Sequence, residues 1–327
     1  MSSSTISALI FATRQVSIYL GTAVLVAGVL GGLFNIIVFL SLRTFRQTSC
    51  AFYLVVMSFV NIGSLMTTTL SRIMISGFGI DWTQSSLIYC KFRLAFVQLC
   101  ALTSLTCMCL ATLDQFFATC SSLRWRQWSS SKLTYRLTAI TVLFWTFHGV
   151  PYVLYYGHFQ SPTTGQVSCI ITNLMFQNYY TYGYSLMLMY FLPTVLTIVF
   201  ALMAYCNVQT IPYRTVPLVR RELDKQLTEM ILVQVVYNFI TMTPFAVVTI
   251  IGATTNVTNN SVLQAQMQFA SILGFFVYYL YWASSFYIYI CVSERFRQQF
   301  IYVIFDVHMK RFQKVKIPAI NRILPQA

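Results

Sequence analysis

The amino-acid sequence predicts an all-α membrane protein, a seven-transmembrane helix bundle followed by a short amphipathic eighth helix. Three observations carry that expectation. Of 327 residues, 57% are hydrophobic and only 9% charged, against roughly 25% charged in ordinary soluble domains. Charge-free apolar segments recur at 15–42, 47–71, 94–113, 137–156, 184–206, 230–252 and 269–291. Most of the 21 Lys and Arg fall in alternate connections between them. A stretch of about 20 residues, rising 1.5 Å each, crosses a hydrocarbon core of roughly 30 Å. One such segment could be a buried helix of a soluble protein, but this series, with so few charges to coat a surface, excludes a soluble fold. Lipid offers the backbone no hydrogen bonds, so each span must be a helix.

The first residues, MSSSTISALIFATR, lack the charged region and cleavage pattern of a removable signal peptide. They read as an external segment (1–14), with the first span as its own insertion signal. Residues 15–292 hold the seven spans and 293–327 the amphipathic helix and tail. The first connection carries Arg43 and Arg46, the third Arg124, Arg126, Lys132 and Arg136, and the fifth Arg214, Arg220, Arg221 and Lys225. A further run extends from Arg295 to Arg322, whereas the other side has only Arg14, Arg72, Lys91 and Arg93. The positive-inside rule therefore places the N-terminus outside and the tail in the cytosol. The net charge of +14 is then membrane-surface charge. Its short, separated clusters at helix ends argue against a nucleic-acid partner.

Asn256-Val-Thr258 and Asn259-Asn-Ser261 are glycosylation acceptor patterns in the connection between the sixth and seventh spans, on the side assigned outside. Cys90 and Cys169 are the two of nine cysteines in external connections or at external helix ends. That oxidising space favours a disulfide, which would pin the fourth-to-fifth connection onto the third helix. The other cysteines read as small buried packing residues. No paired carboxylates, metal-spaced His/Cys set or phosphate loop occurs, so no catalytic residue, metal or cofactor is expected and the chain does not read as an enzyme. A transporter or channel, the alternative of a different class, calls for charges inside the membrane or an inverted repeat, and neither is seen.

In LATLDQFFATC, Asp114 follows Cys90 by about 24 residues, roughly 36 Å along a helix axis. The acid thus sits at the cytoplasmic mouth, within reach of Arg124 or Arg126, and a plain interface anchor is the competing reading. Seven spans, cysteines at the outer end of helix 3 and in the next external connection, and an acid-led triplet at the foot of helix 3 together resemble a rhodopsin-like (class A) G protein-coupled receptor of a divergent, invertebrate type. Asn35, Trp82, Trp145, Pro193 and Pro244 fall near that family's landmark positions, and Cys291-Val-Ser-Glu-Arg-Phe-Arg297 is similar to the start of its short eighth helix. The resemblance implies a plasma-membrane receptor with an extracellular ligand and a heterotrimeric G protein as partners. A chemoreceptor-like protein that does not couple is the alternative within the same fold.

The departures matter as much as the matches. Asp114-Gln115-Phe116 stands where the family usually has Asp-Arg-Tyr, so the tie to the acid low on helix 6, here Asp224, has no cation. A neutral hydrogen bond is weaker than a charge-assisted one, which predicts a looser resting state and raised basal activity. Asn61 replaces an Asp of the family's sodium site, Ser104 is retained there, and Ser285 replaces its Asn. Thr241-Met-Thr-Pro244 lacks the family's Trp, and the helix 7 motif keeps Tyr289 without its Pro. Pro244 and Pro193 each remove a backbone bond, which permits either a hinge or a static kink.

For the ligand, the absence of Lys from 269–291 leaves no attachment point for retinal. Val97 and Gln98 stand where monoamine receptors carry an Asp. Arg72, Arg93, Val97, Gln98, Met242 and Gln268 form the expected pocket, which suits an anionic small molecule or a peptide. For the two arginines, anchoring to lipid headgroups competes with ligand binding. The connection from Tyr156 to about Tyr180 is expected to form a hairpin around Cys169, and His148 reads as a neutral, hydrogen-bonded residue. Past the last span, Ser293 can cap a helix with Phe296, Phe300, Val303 and Ile304 on one face, lying on the inner leaflet with Arg295, Arg297 and Lys310 toward headgroups. No Cys follows Cys291 to carry a lipid chain further along it.

Overall fold

The computed structural model describes residues 2–41, 48–160, 165, 167–210, 218–254 and 261–309. Among them six helices are long and apolar enough to cross a membrane, and a bent pair supplies the seventh span. In chain order these are α1 (Ser2–Ser41), α2 (Ser49–Phe78), α3 (Leu87–Thr119), α4 (Ser131–Tyr155), α5 (Leu174–Gln209) and α6 (Leu218–Thr254). The seventh, α7, joins Ser261–Ala283 to Ser285–Val292 across a bend of 55°. Asn256, Asn259, Arg43, Arg46, Arg214 and the stretch from Lys310 onward lie outside the described residues.

Helix α1 begins at Ser2 rather than near Gln15. MSSSTISALIFATR holds no Pro or Gly to stop a helix, and Thr13 and Ser17 return their hydroxyls to the carbonyls of Leu9 and Thr13 at 2.8 and 2.7 Å. Its 40 residues extend about 60 Å, so the helix overreaches the hydrocarbon core. Arg14 donates from Nε to the carbonyl of Gly77 at 2.9 Å, tying α1 to the end of α2. There α2 stops at Gly79, whose φ of 74° a side chain would strain, and Ile80 N donates back to the carbonyl of Met74 at 2.9 Å.

Two antiparallel strands follow α4, β1 (Tyr156–Gln160) and β2 (Val167–Ile171), with His158 opposite Cys169. Cys169 is disulfide-bonded to Cys90 near the start of α3, the Cα atoms 6.0 Å apart. His158 Nε2 also meets the carbonyl of Thr83 at 2.7 Å, so the hairpin is fastened twice.

Two apolar clusters fill the bundle. One, toward the disulfide, includes Leu65, Leu102, Tyr152, Phe276 and Trp282. The other, toward α8 (Glu294–Ile301), includes Leu54, Met57, Met108, Leu227 and Tyr289. The outer face is apolar as well, with Phe59, Phe147 and Ile240 largely exposed; on a multi-pass membrane protein that face meets lipid. Ser293 caps α8 by accepting from Phe296 N at 3.1 Å. Here the structure departs from the expected leaflet contact. Phe296 and Val303 are buried, and Phe296 lies 5.6 Å from the ring of Phe39 and 5.7 Å from that of Tyr289. Bundle aromatics cover that face, leaving Ile301, Tyr302 and Phe305 as the exposed apolar side.

Candidate functional site

A cavity of about 100 Å³ opens at the disulfide end of the bundle. Helix α2 contributes Thr68 and Arg72, α3 contributes Arg93 and Val97, and α5 contributes Tyr180, Tyr184 and Met189. The far wall is Phe245 of α6 with Phe275, Tyr278, Tyr279 and Trp282 of α7. Among the described residues no carboxylate lines it. Arg72 and Arg93 are half-buried, each with a buried Nε that finds no acceptor, and their charges repel one another. Arg72 rests 4.4 Å above the Phe275 ring, an attraction to the negative ring face that leaves its Nε without an acceptor. Asp81, the acid nearest in sequence to Arg72, is engaged locally, accepting from Thr83 N at 2.9 Å and Thr83 Oγ1 at 2.6 Å. Deeper in, the Trp282 indole N–H and the Tyr278 hydroxyl are buried and unpartnered. Each such group costs about 1–3 kcal/mol. A cavity so rich in donors suits a guest rich in oxygen acceptors.

The α5 side of the cavity, and Thr68 of α2, are invisible to ordinary helical spacing. Thr68 lies in a π-helical stretch, Leu65–Thr69, and Tyr180, Tyr184 and Met189 lie in another, Tyr179–Phe191. Bonding from i to i+5 widens the turn and rotates everything beyond it. The α7 aromatics were legible as a run, Tyr278-Tyr279-Leu280-Tyr281-Trp282, but a run does not say which ring faces inward.

The expected pocket residues divide. Arg72, Arg93 and Val97 line the cavity. Gln98 is buried but faces α4, its Nε2 2.8 Å from Nδ1 of His148 and 3.4 Å from the carbonyl of Trp145. His148 Nε2 in turn meets the Tyr179 hydroxyl. A donor on Nδ1 makes the imidazole an acceptor there and a donor at Nε2, a neutral tautomer that satisfies both neighbours. Met242 is buried lower on α6, against a void of about 10 Å³ that it shares with Asn238 and Tyr281. Gln268 is exposed on α7 and is not in the lining.

Below the cavity, Asn35 Nδ2 donates to Ser285 Oγ at 3.0 Å, and Ser104 Oγ donates to Asn61 Oδ1 at 2.6 Å with the Tyr281 hydroxyl 3.3 Å away. These links are neutral and join α1, α2, α3 and α7. For a hard cation they offer uncharged oxygens alone, of which Asn35 Oδ1 is unpartnered and those of Ser104, Asn61 and Ser285 are already bonded, so the residues present do not fit a sodium ion. Among the described residues no group of three His, Cys, Asp or Glu could hold a metal ion.

At the opposite end of α3, Asp114 and Gln115 are buried. Thr228 Oγ1 lies 2.8 Å from the carbonyl of Asp224 and 3.2 Å from Oε1 of Gln115. One hydroxyl has one proton, and the carbonyl can only accept it. Gln115 must then present its amide N–H₂ to Thr228 Oγ1, the flipped orientation of the same side chain. That orientation gives a partner to the Nε2 that is otherwise unpartnered. This bond between α3 and α6 is therefore neutral, and it lies one turn above Asp224. Phe116 packs against Phe200 of α5 at 5.8 Å, and Tyr289 is enclosed by Phe39 and Phe296. Pro244 lies within α6, next to Thr243, whose hydroxyl meets that of Tyr190 at 2.9 Å.

No curated protein matches this sequence closely enough to report a relative. The family model described as 7 transmembrane receptor (rhodopsin family) matches residues 33–286, well over half of the chain. A bundle of seven spans, stapled by a disulfide from α3 to the hairpin after α4, agrees with that match, and the chain belongs to the rhodopsin family of seven-transmembrane receptors.

Proposed function

We propose that the protein is a cell-surface receptor, N-terminus outside, that binds an extracellular anionic ligand or acidic peptide end in the disulfide-end cavity and activates a heterotrimeric G protein at the opposite end. The single observation that carries the ligand class is the pair Arg72 and Arg93, two guanidinium groups lining one cavity with no acid among its described lining residues. Bidentate, charge-assisted bonds to an oxyanion are what a guanidinium with no carboxylate beside it offers. Headgroup anchoring accounts less well for side chains that line an internal cavity beside Phe275 and Tyr279.

Signalling follows from differential binding. A ligand held between α2, α3 and α7 favours whichever bundle arrangement closes around it, and the opposite end responds because the helices move as rigid elements. The weak Gln115 to Thr228 tie is a contact at that end that such a shift must break. In cells expressing the receptor with a calcium or cyclic-nucleotide reporter, a library of acidic metabolites and peptides is expected to yield agonists. Arg72→Gln and Arg93→Gln are each expected to raise the half-maximal concentration at least about tenfold, the loss of one charge-assisted bond. Agonists indifferent to both substitutions refute the anionic reading, and silence in every G protein assay, with ligand binding intact, refutes coupling.

A further inference from the structure

The deep donors of the cavity are not accounted for by an anion at its mouth. Tyr278 and Trp282 are spaced i, i+4 on α7 and so share one helix face. They are 4% and 3% exposed, both line the cavity, and the hydroxyl of one and the indole N–H of the other lack acceptors. An apolar tail reaching this floor would leave both donors unmet, and a site with unpaired buried donors discriminates against a guest lacking the matching acceptor. The volume, about 100 Å³, also falls below the roughly 300–1,000 Å³ of sites that enclose drug-sized ligands.

We propose that this cavity selects a small carboxylate bearing a second oxygen acceptor a few atoms from the charge, the carboxylate held by Arg72 and Arg93 and the second oxygen by Trp282 and Tyr278. The inference rests on the reading of the cavity as an anion site. Its consequence lies in where Trp282 stands. It immediately precedes the 55° break between Ala283 and Ser285, and its neighbour Tyr281 reaches Ser104 in the neutral network below. A guest bonded to Trp282 therefore grips α7 just above its bend, whereas one bonded only to the arginines does not.

The test uses the full-length receptor in detergent micelles, with dissociation constants read from the rise in Tm with concentration for pentanoate, 4-hydroxypentanoate and 4-oxopentanoate. The 4-substituted acids are expected to bind about tenfold more tightly than pentanoate, one hydrogen bond's worth. In Trp282→Phe or Tyr278→Phe the ratio of the pentanoate dissociation constant to that of each 4-substituted acid is expected to shrink toward one, and a cooperative melt without ligand reports that each variant is folded. Arg72→Gln and Arg93→Gln are expected to weaken all three acids alike. Equal binding of the three acids by the wild-type receptor, or an undiminished preference in both ring variants, overturns this inference and leaves the anion site standing. Failure of all three acids to bind overturns the anion site and the inference together.

Discussion

Gln115 illustrates how much one side chain can decide. Thr228 has one proton to give, the carbonyl of Asp224 takes it at 2.8 Å, and Gln115 completes the link as a neutral donor. A neutral bond is worth about 1 kcal/mol, or about a fivefold shift between two bundle states. Thr228→Val removes the bond and is expected to raise ligand-independent signalling by about that factor in a reporter assay normalised to surface expression. Gln115→Arg replaces it with a charge-assisted one, since Asp114 and Asp224 both lie near the buried Cys50 beside it. Basal signalling is expected to fall below wild type. The missing cation was legible in Asp114-Gln115-Phe116; its replacement by Thr228, four residues after Asp224, was not, because that partner is set by the helix crossing.

At the scale of elements, the close approach of α1 to α7 depends on glycine. A Cβ on Gly28 would lie 2.5 Å from Leu65 Cδ1 and 3.1 Å from the Cα of Ala283. The second is backbone and cannot yield without moving α7 at its bend. Gly28→Val is expected to cost about 1–3 kcal/mol, the range for overpacking a tight core, and to lower the Tm of the purified receptor. The spans themselves were legible because apolar length is a local property. Their irregularities were not. The π-helical stretch of α5, Tyr179–Phe191, carries Tyr184 and Met189 into the cavity, and nothing in an apolar run marks where the hydrogen bonding shifts register. The break before Ser285 was equally hidden, since no Pro stands there.

For the whole molecule, the disulfide closes a separation of 79 residues and holds the β1–β2 hairpin over the start of α3. The helices keep their own backbone bonds in lipid, so its loss should disturb the hairpin and the cavity beneath rather than the spans. Cys169→Ser is expected to cut ligand response and surface delivery sharply while an α-helical circular dichroism spectrum persists. Orientation is tested at the connection between α6 and α7. Substituting Gln for Asn256 and Asn259 together is expected to abolish a glycosidase-sensitive mass shift in surface-delivered receptor. A wild-type protein without sugar there, at the surface, would contradict an external connection between α6 and α7.

By itself the sequence determined that the chain is a bundle of membrane-crossing helices, where each span lies, and which two cysteines could pair. It also determined that charge is missing from the helix 2 and helix 3 positions where the family keeps it. These follow from composition and local length, which do not depend on neighbours. Only the tertiary structure decided which polar groups face one another: that Arg72 and Arg93 share a cavity, that Gln98 turns to His148, and that Trp282 stands unpartnered at the floor. Those outcomes depend on helix rotation and on π-helical turns, which sum contacts from elements far apart in the chain.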